Sequence, residues 1–91
     1  MCPSGYVFQR GDSNGGAHRI ESKIVKDIEE CGDRCNNNEK CRSLEWNPSG
    51  KWCNLMSTEI TDNGDYKDYL FCTKKNGWLL NHQILVRFII N

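Results

Sequence analysis

The chain has 91 residues, with 12 basic residues against 12 acidic ones and six cysteines. A chain of this size is one small domain that commonly needs constraints beyond its hydrophobic core, and its neutral balance provides no global field to steer it onto nucleic acid or an anionic membrane. No apolar run reaches the ~18 residues of a membrane-crossing helix.

The first element is a short strand, Gly5-Tyr6-Val7-Phe8-Gln9, rich in aromatic and β-branched residues. Arg10 to Gly16 then concentrates glycine, Asp12, Ser13 and Asn14 in an exposed loop, and Ala17 to Glu21 returns as a second short strand. Asp27 is a good N-cap, and Glu30 stands three positions later, where its carboxylate can reach back to the cap amide. Ile28, Cys31 and Cys35 recur on one helical face. Glu29 and Glu30 at the start and Arg34 near the end suit the helix dipole. The run Asn36-Asn37-Asn38 has poor helix propensity and stops the helix, which is expected over 28–37. Leu44 and Trp46 alternate with polar neighbours in a third strand, and Asn47-Pro48-Ser49-Gly50 makes a turn. Trp52, Cys53, Leu55 and Met56 form a fourth strand; Asn63-Gly64 marks a hairpin turn, and Tyr66, Tyr69, Leu70 and Phe71 lead a fifth into Cys72. One helix with about five short strands reads as an α+β domain with an antiparallel sheet.

An even number of cysteines in so short a chain reads as a disulfide framework and so as an oxidising compartment. Structural zinc wants two closely spaced pairs; only Cys31 and Cys35 are close, no Cys-x-x-Cys occurs, and neither His18 nor His82 lies near the cysteines in sequence. Met1 abuts Cys2 without a signal peptide; the expectation is that a signal has been removed or that the chain is a piece of a longer protein. Residues 74–91 differ in character: Lys74-Lys75-Asn76-Gly77 looks like a linker, and Trp78-Leu79-Leu80 and Ile84 to Ile90 are strongly apolar. This tail reads as an added strand, the start of a following domain, or sequence without a folding role.

The spacing Cys31-x3-Cys35-x5-Cys41-x2-Leu44-x-Trp46, followed by Trp52-Cys53-x-Leu55, resembles the core of PAN/apple domains. Cys2 and Cys72 look like the extra terminal pair of apple-type members, so the resemblance covers residues 2–73 and leaves 74–91 outside it. It implies one helix packed on an antiparallel sheet, with Cys2 paired to Cys72, Cys31 to Cys53 and Cys35 to Cys41. It also implies non-catalytic recognition of a protein or carbohydrate, by a module of a larger secreted or surface protein. No family site residues carry over, since ligands are taken on variable loops and sheet faces.

The residues themselves offer little catalytic chemistry. No thiol is expected to be free, and neither histidine stands in a hydrolase motif. Glu29 and Glu30 are explained as first-turn helix residues. Asp62-Asn63-Gly64-Asp65 lacks the glycine and glutamate of a calcium loop and reads as a turn. The expectation is an extracellular domain that is not an enzyme, uses no cofactor and no metal, and does not insert into a membrane. Arg10-Gly11-Asp12-Ser13 matches the adhesion sequence that engages integrins, with the Asp12 carboxylate completing a receptor-bound metal ion; an ordinary solvated turn is the competing reading. Trp46 and Trp52 are assigned to the core rather than to a sugar-stacking platform, given the area each buries; the tyrosines stay open between the two. Pro48 spoils Asn47-Pro48-Ser49 as a glycosylation site.

Overall fold

The computed structural model describes residues 1–10, 18–59 and 68–75. Among these, strand β1 spans Tyr6–Gln9, β2 Arg19–Ile24, helix α1 Ile28–Asn36, β3 Ser43–Asn47, β4 Trp52–Met56 and β5 Leu70–Lys74. The strands form one antiparallel sheet in the order β1-β5-β3-β4-β2, which sets the first strand beside the last. The α+β class read from the sequence is the class observed.

The helix starts where its cap requires. Asp27 is extended, and its Oδ1 accepts from the Glu30 amide at 2.8 Å. The reciprocal bond differs from the expected box: Glu30 Oε1 accepts from the Lys26 amide at 3.0 Å, because the extended backbone at Asp27 brings the preceding N–H within reach. At the other end the Asn37 amide donates to the Asp33 carbonyl at 3.0 Å, so the helix closes one residue short of 37.

One face of α1 packs on the sheet. Cys31, Gly32 and Cys35 are buried, and with Leu44, Trp46, Leu55, Cys53, Cys72, Tyr6 and Val25 they make the core. Gly32 sits under Pro3, where an added Cβ would lie 2.8 Å from the proline Cβ, so only glycine admits this approach of the N-terminal segment. Three disulfides run through this layer. Cys31–Cys53 clamps the helix to β4, Cys35–Cys41 ties its last turn to the segment entering β3, and Cys2–Cys72 joins the N-terminal segment to β5. All six cysteines are paired.

The reverse face of the sheet is buried at its centre too. Met56 and Phe71 are fully covered there, beside Ser43, Glu45, Asn54 and Thr73. A polar ladder crosses three strands of this face: Ser22 Oγ donates to Asn54 Oδ1 at 2.6 Å, and Asn54 Nδ2 donates to Glu45 Oε1 at 3.3 Å. The buried members, Glu45 and Asn54, bond to one another, which offsets the penalty of burying them.

The second strand is longer than the sequence suggests, running on to Ile24. Glu21, Ser22 and Lys23 carry no apolar alternation to announce it. A bulge lies between Arg19 and Glu21, where two residues of β2 answer one step of β4.

Candidate binding surface

The bulge decides which way the rest of β2 faces. In a regular strand Ile20 and Ile24 would share a side, being four residues apart. The extra residue breaks that parity: Ile20 packs against the core, whereas Ile24 is aligned with Trp52 on the reverse face and is 63 % exposed. Trp52 itself is 39 % exposed. This corrects the assignment of Trp52 to the core; Trp46 is buried as expected, at 6 %. The reason lies in the β4 alternation. Cys53 must face α1 to bond Cys31, so Leu55 shares that side and Trp52 takes the opposite one, where Asn54 and Met56 are buried but Trp52, at the end of the strand, is open.

The Trp52 side chain is positioned by the preceding turn. Asn47 Oδ1 accepts from the Ser49 amide, the Ser49 hydroxyl and the Gly50 amide at 3.0, 3.0 and 3.1 Å. Lys51 closes the turn in the left-handed region at φ 57°, and its carbonyl accepts from the Val25 amide at 3.0 Å. Gly50 lies directly against the indole: a Cβ there would come within 2.8 Å of Trp52 Cδ1. The ring is thus backed on one side by main chain, and Ile24 stands across the ladder from it. An exposed, pre-oriented aromatic with an aliphatic neighbour is the kind of surface on which partners anchor, because little side-chain entropy remains to be lost on binding.

Among the described residues, the large exposed apolar side chains of β1 do not make a comparable patch. Val7 and Phe8 are successive residues of the edge strand β1 and point to opposite faces. Of the tyrosines, Tyr6 belongs to the core; its hydroxyl lies 2.8 Å from Asn36 Oδ1 and 3.1 Å from the Gly32 carbonyl. Burial, and then the Asp33 carboxylate, hold its ionisation well above the usual phenol range.

Of the Arg10-Gly11-Asp12 motif, Arg10 is exposed just past the end of β1, and Gly11 and Asp12 lie outside the described residues. The turn at Asn63-Gly64 and the apolar residues from Trp78 to Ile90 lie outside them as well. Among the described residues no group of three His, Cys, Asp or Glu side chains is placed to hold a metal ion, and no helix is long and apolar enough to cross a membrane.

The sequence pattern of the PAN domain family matches residues 4–76. No characterised protein and no solved structure matches the chain significantly. The family match spans most of the chain and covers every strand, the helix and five of the six cysteines, the sixth being Cys2. This chain belongs to the PAN domain family.

Proposed function

We propose that this chain is an extracellular, non-catalytic binding module that takes a protein or carbohydrate ligand on the surface built around Trp52 and Ile24. PAN domains serve as protein- and carbohydrate-binding modules. Three disulfides in so small a domain favour an oxidising, extracellular setting. The observation that carries the choice of surface is the Ile24–Trp52 cross-strand pair, exposed although both side chains are large and apolar. A solvated indole on a strand is costly for a domain with a small core, and a ligand that covers it recovers that burial.

The test is a glycan array run beside a cell-surface binding screen, with the wild type and Trp52→Ala in parallel. A ligand lost in the variant, with its melting temperature unchanged, supports the surface. Full binding by the variant removes Trp52 from the site.

A second reading runs through Arg10, Gly11 and Asp12 as an integrin-directed adhesion or antagonist loop. It is favoured by the exposure of Arg10 at the end of β1.

A further inference from the structure

The two outer strands of the described sheet are finished differently. β2 carries Arg19, Glu21 and Lys23 and a bulge between Arg19 and Glu21, devices that keep an edge from pairing with another chain. β1, Tyr6-Val7-Phe8-Gln9, is uncharged, holds no proline and runs in unbroken register with β5. Val7 is 40 % and Phe8 49 % exposed, on opposite faces of the sheet, and Gln9 and Arg10 are exposed after them.

The pairing with β5 fixes which backbone groups of β1 look outward. The Lys75 amide donates to the Gly5 carbonyl at 2.8 Å, so Gly5 and Lys75 form a hydrogen-bonded pair. By the register, Val7–Thr73 and Gln9–Phe71 are hydrogen-bonded pairs as well. Tyr6 and Phe8 occupy the alternate positions, with N–H and C=O directed to the outer side of β1. The Tyr6 N–H is taken there by the Pro3 carbonyl at 3.1 Å. Phe8 therefore presents a donor and an acceptor outward, and Tyr6 an acceptor.

We propose that β1 pairs with β1 of a second copy of this chain, antiparallel about a two-fold axis at Phe8. In that register each Phe8 N–H donates to the Phe8 carbonyl of the other copy. The Arg10 N–H, one step beyond the strand, reaches the other Tyr6 carbonyl. An axis at Val7 would instead set the Phe8 carbonyl against the Tyr6 amide already held by Pro3. With the axis at Phe8 the two phenyl rings stand directly opposite on the helix side, the side of Tyr6, and Val7 meets Gln9 on the reverse. The two Arg10 residues lie at opposite ends of the pairing and do not oppose one another. The strand is its own complement, which is what a closed two-fold interface requires. Its four residues put the interface at the small end of specific contacts, so monomer and dimer exchange with concentration. Ile24 and Trp52 lie toward the other edge and stay open in both copies, so the dimer does not depend on what that surface binds.

Sedimentation of the full chain from about 10 µM to about 1 mM covers the range in which a small interface equilibrates. The mass is expected to rise from 10.5 kDa toward twice that value. Over the same range hydrogen exchange at the Phe8 amide should slow, while the Val7 amide, bonded to β5, is protected throughout. Phe8→Lys sets two like charges opposite one another and removes the ring pair. It should weaken the dimer on the order of tenfold, with the melting temperature of the dilute protein unchanged. If Phe8→Lys folds poorly, the exchange pattern of the wild type decides alone. A monomer at every concentration overturns the proposal, and so does an undiminished dimer in Phe8→Lys. A dimer whose Phe8 amide exchanges at one rate throughout would associate by another surface and would overturn it. Protection of the Phe8 amide in the monomer would mean that the chain covers this edge with its own residues, and would overturn it too.

Discussion

Ile24 and Trp52 face one another across the β2–β4 ladder, and both are open to solvent although each is flanked in sequence by a buried residue, Val25 and Cys53. The pair exists because two constraints meet. The Cys31–Cys53 bond turns Trp52 away from the helix, and the bulge at Arg19–Glu21 turns Ile24 after it. The two tryptophans of β3 and β4 therefore differ in role, and their substitutions should differ in cost. Trp46→Ala opens a cavity in the core and is expected to destabilise by about 3–5 kcal/mol. Trp52→Ala is expected to cost about 1 kcal/mol or less, in keeping with its exposure. Denaturant melts of the two variants check this, and equal losses would place Trp52 in the core after all.

Much of this was legible from residues. Asp27, with Ile28, Cys31 and Cys35 at helical spacing, located the helix to within a residue. The outward face of Trp52 was also legible: Cys53 and Leu55 alternate with Trp52, Asn54 and Met56, and one face must meet the helix. Large aromatic area argues for burial there; alternation gives the side, and the place of Trp52 at the end of the strand gives its exposure, since Asn54 and Met56 on the same side are buried. The length of β2 and its bulge left no such mark, since Glu21 to Lys23 are polar and a bulge is a property of pairing between strands. The order β1-β5-β3-β4-β2 is likewise non-local, as it sets Tyr6 opposite Lys74.

The disulfides hold the layers together, and their removal has a graded cost. Cys31 and Cys53 are 22 positions apart, and the chain-entropy relation gives about 3 kcal/mol for a loop of that size. Replacing both with alanine is expected to lower stability by roughly that amount, with the Cys35–Cys41 bond of 6 positions contributing nearer 2 kcal/mol. Peptide mapping without reduction should recover 2–72, 31–53 and 35–41. A Cys31–Cys35 peptide would overturn the pairing.

Tyr6 makes the domain sensitive to alkali. Its ionisation is raised in the folded state by burial and then by Asp33, while in the unfolded chain it lies near pH 10. Between those values the native state holds a proton that the unfolded state has lost. The contribution is therefore complete below about pH 10 and declines above it, by about 1.4 kcal/mol per pH unit for one proton. Melts at about pH 8 and about pH 11 should show this decline in the wild type and less of it in Tyr6→Phe. The variant should lose about 1 kcal/mol at neutral pH, with the hydroxyl's hydrogen bonding.

We propose that residues 2–73 fold as the domain and that 74–91 are not needed for it. Cys72 already ties β5 to the N-terminal segment. A chain ending at Lys75 keeps the amide bonds of Lys74 to Arg42 and of Lys75 to Gly5, and should melt like the full chain. Ending at Thr73 removes both, at about 1 kcal/mol each, and should still melt cooperatively. Loss of a cooperative transition in the longer truncation product would assign the residues beyond 75 a part in the core or sheet.

The adhesion reading is separable from the others by one methylene. Arg10 is exposed at the end of β1, and the residues that follow it are Gly11 and Asp12. If Asp12 completes a metal ion on a receptor, the carboxylate has to stand at a fixed reach, since hard-cation coordination tolerates little change in ligand distance. Asp12→Glu keeps the charge and moves the carboxylate outward by about 1 Å. Cell attachment to the immobilised protein would then depend on divalent cations and vanish in Asp12→Glu at an unchanged melting temperature, while Trp52-dependent ligands would bind as before. The expected outcome is no such attachment by the wild type, because an Arg-Gly-Asp-Ser run also makes an ordinary solvated turn and the exposed pair at Ile24 and Trp52 offers the apolar anchor that this run lacks. Cation-dependent attachment abolished by Asp12→Glu would reverse that ranking and make the β1 end the functional one.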